Sequence, residues 1–447
     1  MDSLKKFREY WNLHQNGFLD LLSIPSVYDG KTADISHPYG ASVYDALCFM
    51  EEKCREAGMK VTIYEGQVMA AAAGSGERID LVSHLDVVEP GEGWKTDPFM
   101  PVVKDGAITA RGSQDMKSGA WLTYLAVRML IEEGYPLHKE IRLVFGTDEE
   151  RTMDDMRTYV RYEGLPAFAF TPDGRFPLVT GEKGALMWIL RKPYHGSIIS
   201  LKAGVQPNVV PPQAEALISK TDKKKAEEQI RTGGIDGTVE VNGDAVHIKV
   251  NGRAAHASRP EDGHSAGKDL FTVLSAITDE DDIRSLCELA SDDYGKLSGI
   301  SCSTVTMGPL TLNAGLITIK NGMIEVMADC RYPYGISHEE LNAKFSAHYS
   351  SFECTLPYVD PPTLVSENDP YITALKEGYR EVLGKDPACS ISGGVSYSKV
   401  FGHCVNFGPV AETSEYAAHQ RNEKIDVEDC IQALAVYYYA VKKLLEV

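Results

Sequence analysis

Short apolar runs alternate with helical patterns in the first part of the chain. Residues 79–83, 141–145 and 167–170 are apolar runs of the kind that is buried on both faces of a sheet, and each is predicted to be a central strand. Residues 46–57 and 117–133 have helical patterns, and a glycine follows each of them, where a C-cap is expected. This alternation favours βαβ units and a mainly parallel sheet.

The pattern changes after about residue 185. Residues 238–250 and 316–327 alternate apolar and polar positions on either side of an Asn-Gly pair, which indicates antiparallel hairpins. A helical pattern returns at 427–445 and ends the chain. We therefore predict an α/β fold in which a mainly parallel-sheet domain, 1–185 and 383–447, carries an inserted α+β domain of antiparallel sheet and helices at 186–382.

Composition excludes several classes of function. The 447 residues include 45 Lys and Arg against 64 Asp and Glu, and the net charge of −19 would repel a nucleic-acid backbone. No apolar run approaches the ~18 residues that a membrane-spanning helix needs. The nine cysteines are scattered without a C-x-x-C pair, and the first residues lack the apolar core of a signal peptide. We expect a cytoplasmic protein with reduced thiols that binds neither nucleic acid nor membrane.

Polar side chains follow all three predicted central strands. His84 follows the first, Glu149 and Glu150 follow the second, and Asp173 follows the third. Open α/β sheets bind ligands beyond the carboxyl ends of their strands, so this placement indicates a site. Each residue alone also has a structural interpretation, such as a hydrogen-bonded loop histidine or a carboxylate at a helix N-terminus. Their combination favours the site.

Two further residues complete a candidate set of metal ligands. Asp115 precedes the helix predicted from residue 117, where it could also be an N-cap, and His419 lies near the C-terminus. Two imidazoles and three carboxylates favour Zn²⁺, Mn²⁺ or Co²⁺ over Ca²⁺ or an iron–sulfur cluster. Asp86 lies two positions after His84 in an extended stretch. Its carboxylate is therefore predicted to accept the second ring N–H of His84 and to fix the tautomer.

Six segments are spread in order over nearly the whole chain, namely SHLDVVEPGEGWKTDPF (83–99), ARGSQDMKSG (110–119), GTDEE (146–150), FTPDGRFPLVTGEKG (170–184), GRAAHASRPEDG (252–263) and AAHQRNE (417–423). Together they resemble the di-zinc aminoacylase and carboxypeptidase-type metallopeptidases. Within that family the chain is most similar to bacterial cytoplasmic dipeptidases that hydrolyse Xaa-His and related dipeptides with a free amino end. The resemblance implies an aminopeptidase-like (phosphorylase/hydrolase-type) catalytic domain and a lid formed by the inserted domain.

The resemblance implies roles for these residues. Glu149 would be the general base, taking a proton from a water shared by two metal ions and passing it to the leaving amine. A carboxylate that is not a ligand remains free for this task, while the metals acidify the water. Asp86 would belong to the catalytic group through His84. The implied ligands are His84 and Asp173 for one zinc ion, Glu150 and His419 for the other, and Asp115 as the bridge.

The resemblance also assigns residues of the lid and of the segment SGGVSYSK (392–399). His256 would polarise the scissile carbonyl in an oxyanion hole, with Asn208 on the same side. Arg331 would bind the substrate carboxylate, a task that suits a bidentate guanidinium. Closure of the lid would bring these groups onto the substrate. The segment 392–399 would add substrate-binding residues, namely Gly393, Gly394 and Lys399.

The segments depart from the family pattern at two places. Lys399 stands where related dipeptidases often carry arginine, which bears on substrate preference rather than on the reaction. Ser113 and Gln114 precede Asp115, where a small residue is expected. Neither change touches a proposed ligand.

We predict a metallodipeptidase with two divalent ions, expected to be zinc, with Mn²⁺ or Co²⁺ as alternatives. One alternative function is an N-acyl amino acid amidohydrolase, which would use the same metals on a blocked amine. Another is a metal-binding protein without turnover, although such a protein would have no use for Glu149. Dimeric relatives in the family have lids about half as long and take the oxyanion histidine from the partner subunit. The long insert therefore predicts a monomer acting on small dipeptides.

Overall fold

The computed structural model describes residues 4–219 and 223–447, which form two compact units. Unit 1 comprises the chain up to Gly181 together with Thr363–Ser390 and Ser396–Val447, and unit 2 comprises Glu182–Pro362 and Ile391–Val395. The chain therefore returns to unit 1 at residue 363, twenty residues before the predicted boundary at 383. The helix Pro370–Leu383 accounts for the difference, because it packs on the C-terminal helix of unit 1.

The helices lie in both units, and a 3₁₀ turn at Pro260–Asp262 adds to them. In chain order the helices are α1 (Lys5–Leu22), α2 (Ala41–Glu56), α3 (Lys117–Glu132), α4 (Asp154–Glu163), α5 (Lys223–Gly233), α6 (Ala266–Ile277), α7 (Asp281–Ala290), α8 (His338–His348), α9 (Pro370–Leu383), α10 (Ser398–Phe401) and α11 (Val427–Glu446).

In the part of the chain that the structure describes, the strands form one large sheet in each unit and two small sheets. In chain order they are β1 (Lys60–Tyr64), β2 (Val68–Ala73), β3 (Arg78–His84), β4 (Val102–Lys104), β5 (Ala107–Thr109), β6 (Glu140–Gly146), β7 (Phe168–Thr171), β8 (Leu178–Glu182), β9 (Gly184–Pro193), β10 (Ile198–Ala203), β11 (Gln213–Ser219), β12 (Gly237–Asn242), β13 (Ala245–Asn251), β14 (Ser303–Thr304), β15 (Gly308–Pro309), β16 (Thr311–Lys320), β17 (Met323–Tyr332), β18 (Glu353–Asp360), β19 (Thr363–Leu364), β20 (Cys389–Ser392), β21 (Cys404–Asn406) and β22 (Lys424–Asp426).

The large sheet of unit 1 has the order β1-β2-β6-β3-β7-β21-β8-β19. Its middle strands β6, β3, β7 and β21 run parallel, while β1, β2 and β8 pair antiparallel at the flanks. The three predicted strands are β3, β6 and β7, and all are central as predicted. Their side chains are buried almost throughout, because helices of the same unit cover the sheet. The prediction of a mainly parallel sheet is confirmed.

Local glycine signals set the ends of the two predicted helices. Gly58 and Gly134 lie two residues beyond the last residues of α2 and α3, with φ of 80° and 65°. This left-handed conformation suits glycine and ends a helix. Helix α2 begins at Ala41, five residues before the predicted start, and buries Val43 in its first turn. The core of unit 1 lies between α1, α2, α3, α9, α11 and the sheet.

Unit 2 is built on an antiparallel sheet with the order β12-β13-β11-β10-β16-β17-β9-β18. The two predicted hairpins are β12–β13 and β16–β17. Asn321 and Gly322 form the turn of the second hairpin with φ of 52° and 71°, as a type I′ turn requires. The inward face packs on α6, α7 and α8 around its own core. The expected insert of antiparallel sheet and helices is therefore present.

The outward face of this sheet carries a row of charges that runs from strand to strand. Lys249 lies opposite Glu215, and Glu215 lies opposite Lys202. The uncharged Thr318 of β16 comes next, and the row then continues with Glu325 and Arg191. Arg191 Nε and Glu325 Oε2 are 2.6 Å apart. We call this set the charged row. Alternating charges of this kind are typical of a sheet face in contact with water.

Two further expectations concern the whole chain. In the described residues no helix is long and apolar enough to cross a membrane. None of the nine cysteines forms a disulfide within residues 4–219 and 223–447.

Candidate metal centre

Three adjacent strands of unit 1 bring the predicted residues to one edge of the sheet. Strand β3 pairs in parallel with β6 on one side and with β7 on the other. His84 is the last residue of β3, Glu149 and Glu150 follow β6, and Asp173 follows β7. Parallel strands end at the same edge, so these side chains converge for a topological reason.

Asp115 lies between His84 and His419, and each of these histidines is also close to a second carboxylate. Its Oδ1 is 3.0 Å from His84 Nε2, and its Oδ2 is 3.0 Å from His419 Nε2. His84 Nε2 is also 3.9 Å from Asp173 Oδ2, and His419 Nε2 is 3.0 Å from Glu150 Oε1. The structure thus brings all five predicted ligands together, and each oxygen of Asp115 faces a different histidine. This arrangement suits a carboxylate that bridges two cations.

The electrostatics of the two histidines follow from these contacts. Burial alone would lower the pKa of His84, but hydrogen bonds to Asp115 and to Asp86 raise it well above its usual value. Burial also opposes protonation of His419, yet Asp115 and Glu150 raise its pKa to about 11. In both histidines the surrounding carboxylates therefore favour a positive charge at Nε2, the nitrogen that faces Asp115. Divalent cations bind at such nitrogens by replacing the proton.

Glu149 has a different environment from its neighbour Glu150. The side chains of His84, Asp115 and Glu150 place ligand atoms within 4.8 Å of one another, and Glu149 is outside this group. Burial raises the pKa of the Glu149 carboxyl well above its usual value, and Asp173 adds to the rise while His84 opposes it. A carboxylate with a raised pKa near the cluster is suited to accepting and releasing a proton.

Asp86 touches both His84 and the segment that carries Glu149. His84 Nδ1 is 2.8 Å from the backbone carbonyl of Asp86 and 3.5 Å from its carboxylate. The ring N–H therefore has its shorter contact with the carbonyl, whereas the carboxylate was expected to accept it. The Asp86 carboxylate instead accepts the backbone N–H groups of Glu149 and Glu150 at 3.3 and 3.1 Å. Asp86 still fixes the imidazole, through its main chain.

Glu423 holds the loop that carries Asp115, a role that the sequence did not indicate. Its Oε2 accepts from Arg111 Nη1 at 2.6 Å and from the N–H of Gly112 at 3.2 Å. Its Oε1 accepts from the N–H groups of Gln114 and Asp115 at 2.7 and 3.2 Å. Both Glu423 and Arg111 are buried. A buried carboxylate with four donors can hold a loop in one conformation.

Gln114 joins the loop of Asp115 to the loop of His419. Its side-chain amide donates to the carbonyls of Glu415 and Lys424, and its oxygen accepts the N–H of Ala417 at 2.7 Å. The departure from the small residue expected at position 114 therefore has a structural explanation. The longer side chain links two ligand loops that are about 300 residues apart in sequence.

Unit 2 brings Asn208 and His256 onto neighbouring segments. Val209 and His256 form an isolated antiparallel bridge, and the carbonyl of Asn208 accepts the N–H of Ala257. His256 Nδ1 is 2.7 Å from Ser258 Oγ. Burial lowers the pKa of His256, and the charge of Arg331 lowers it further, which favours the neutral imidazole.

Arg331 is buried and is held by two partners in unit 2. Its Nε and Nη2 donate to the two carboxylate oxygens of Asp329, each at 2.8 Å. Its Nη1 donates to the carbonyl of Gly393 at 3.1 Å. Gly394 follows in the same segment, and its N–H donates to Ser392 Oγ. Lys399 lies in α10 of unit 1 and is half-buried.

Comparison with known proteins agrees with this picture. The sequence model described as "Peptidase family M20/M25/M40" matches residues 81–443. The curated protein named "Putative dipeptidase YtjP", from Bacillus subtilis (strain 168), is 29% identical over 443 residues, which cover 95% of this chain and 96% of that protein.

Solved structures share the fold over both units. The dipeptidase Dug1p of Saccharomyces cerevisiae has a TM-score of 0.62 at 13% identity, covering 100% of this chain and 99% of that chain. The YXEP protein of Bacillus subtilis, described as a dinuclear metal binding peptidase, has a TM-score of 0.51 at 12% identity, covering 98% and 99%.

Proposed function

Because the chain belongs to peptidase family M20/M25/M40, we propose that it is a cytoplasmic dipeptidase that uses two divalent metal ions, expected to be zinc. One observation carries the proposal, namely that Asp115 faces a histidine with each oxygen while Glu149 stands beside the cluster. Peptidase activity itself follows from the family. The free amino end of the substrate and the identity of the metals are the parts that need testing.

The residues fit a pair of divalent cations. Nitrogen and carboxylate oxygen are the donors that Zn²⁺ and Mn²⁺ accept. His84 with Asp173 would hold one ion and His419 with Glu150 the other, with Asp115 shared. When bound, the ions acidify a water and neutralise the charge that develops on the scissile carbonyl oxygen.

The protein residues divide the remaining work. Glu149 takes the proton from the attacking water and delivers it to the leaving amine. In unit 2, His256 is proposed to donate to the carbonyl oxygen, with Asn208 beside it. Arg331 with the Gly393–Gly394 segment is proposed to bind the carboxylate of the substrate, and Lys399 to influence which dipeptides are preferred.

The test compares substrates on metal-loaded protein. We expect cleavage of Ala-His and Ala-Ala but little cleavage of N-acetylalanine, because the acidic cluster favours a free ammonium group. Preference for N-acetylalanine would identify an amidohydrolase instead. Absence of turnover on the whole panel, with metal bound, would identify a binding protein.

The variant Glu149→Gln tests the base. It should keep the metal content and fold of the wild type and lose roughly 10²–10⁴-fold in kcat. Glu381→Gln is the matched control, since Glu381 is exposed in α9 of the same unit. If both variants have the kcat of the wild type, the base is another residue.

A further inference from the structure

Four consecutive backbone N–H groups under the proposed base donate to two buried carboxylates. The N–H groups of Thr147 and Asp148 donate to Oδ2 of Asp155 at 2.5 and 3.0 Å. The next two, at positions 149–150, donate to the carboxylate of Asp86. Asp155 lies at the start of α4 and is fully buried. The whole segment 147–150 is thus held through its main chain, which leaves its two glutamate side chains available.

Tyr397 completes this arrangement from a distant part of unit 1. Its hydroxyl donates to Oδ2 of Asp155, the same oxygen that accepts the two N–H groups. The ring of Tyr397 lies edge-on to the ring of His84, with 6.2 Å between centroids. A Cβ at Gly146 would lie 2.1 Å from the Tyr397 hydroxyl and 2.3 Å from Asp155 Oδ2. Glycine at the end of β6 therefore leaves the space that the Tyr397 hydroxyl and the Asp155 carboxylate occupy.

Resting on the proposed function, we propose that Asp155 and Tyr397 are positioning residues for the general base Glu149. Asp155 fixes the two amides that precede Glu149, and Tyr397 fixes the carboxylate of Asp155. The ring of Tyr397 lies beside His84, so the same side chain links Asp155 to one of the proposed metal ligands. Proton transfer needs the base within about 3 Å of its partner, so a shift of 1 Å in this segment can lower the rate by about 100-fold.

The test is Tyr397→Phe, which removes one hydroxyl and keeps the ring against His84. We expect kcat on a dipeptide to fall about 10- to 100-fold, with KM and metal content within about twofold of the wild type. In metal-free protein, hydrogen exchange of the peptide that spans 147–150 should become faster, because Asp155 is then less firmly held. This second readout does not depend on activity.

Tyr159→Phe is the matched control. Tyr159 is also fully buried, and its hydroxyl donates to the buried carboxylate of Asp80 at 2.9 Å. It lies on α4, the helix whose first turn contains Asp155. Its loss should lower stability without changing kcat or exchange at 147–150. If Tyr397→Phe fails to fold, Asp155→Asn, which keeps an acceptor oxygen, should show the same pattern more weakly.

The outcomes separate the two proposals. If the Tyr397→Phe and Tyr159→Phe variants have the same kcat and the same hydrogen exchange at 147–150, the positioning role is wrong and Tyr397 is only structural. If the wild type cleaves no dipeptide, the proposed function fails. The exchange comparison then still decides whether Asp155 and Tyr397 hold the segment 147–150, since faster exchange supports this and unchanged exchange overturns it.

Discussion

Replacing Glu423 by glutamine should cost far more stability than the loss of one charge at the surface. Each carboxylate oxygen of Glu423 accepts from two donors, and its partner Arg111 is 1% exposed. A glutamine amide must point its NH₂ group either at the Arg111 side or at the N–H groups of Gln114 and Asp115. One pair of donors therefore loses its acceptor, and the guanidinium charge stays buried without a carboxylate.

The expected loss is about 3–5 kcal/mol in the free energy of unfolding, the range for breaking a buried ion pair from one side. Glu428→Gln is the matched control. Glu428 makes a similar two-bond contact with Arg8, at 2.8 and 3.0 Å, but both side chains are 40% or more exposed. Its loss should cost no more than about 1 kcal/mol.

Urea unfolding of the wild type and both variants measures the difference. A second variant, Arg111→Met combined with Glu423→Gln, should recover part of the lost stability, because the buried charge is then gone. If Glu423→Gln costs no more than Glu428→Gln, the ion pair does not hold the Asp115 loop. If the double variant is less stable than Glu423→Gln, the unpaired charge is not the cause of the loss.

Three other predictions follow from the site and from the charged row. Metal analysis should find up to two divalent ions per chain, and EDTA should abolish activity; activity that survives complete removal of metal would contradict the proposal. Light scattering at micromolar concentration should give a monomer of 49.1 kDa, because the charged row makes the outward face of the unit 2 sheet unsuited to an apolar interface. A stable dimer would refute this prediction. Arg331→Ala should raise KM for free dipeptides, through a loss of about 2–5 kcal/mol, and change little for C-terminal amides. Equal losses on dipeptide, amide and tripeptide in kcat/KM would make Arg331 structural.

Local patterns account for the parts of the fold that were predicted. The strands β3, β6 and β7 contain short runs of mostly apolar residues, in which Asp80 and Arg142 are the charged exceptions, and such runs identify buried central strands. The ends of α2 and α3 are marked by glycine, and the β16–β17 turn is formed by the predicted Asn-Gly pair. The β12–β13 turn lies one residue later than its Asn-Gly pair predicts, at 243–244, because Asn242 pairs with Ala245 in the hairpin. Each of these signals lies within a few residues of the feature that it marks. The position of His84, Glu150 and Asp173 after successive strands then follows from the topology of a parallel sheet.

Long-range contacts account for what was not predicted. An amphipathic segment such as α9 shows which face is buried but not which domain covers it, so the predicted boundary at 383 lies twenty residues after the return to unit 1 at residue 363. Glu423 and Asp155 look like ordinary acidic residues in the sequence, and only the folded chain shows that backbone N–H groups surround them. Gln114 departs from the small residue expected before Asp115, but its partners lie about 300 residues away in the sequence.

The contacts of Arg331 join two assignments that were separate in the sequence. Asp329 occupies the edge of the guanidinium formed by Nε and Nη2, so a carboxylate can make a bidentate contact only at the edge formed by Nη1 and Nη2. Nη1 also donates to the carbonyl of Gly393, and a Cβ at Gly393 would lie 2.2 Å from Cβ of Ser258. Glycine is therefore required where this segment passes Ser258, whose hydroxyl contacts His256. The arginine, the glycine segment, Ser258 and the histidine therefore form one connected group in unit 2.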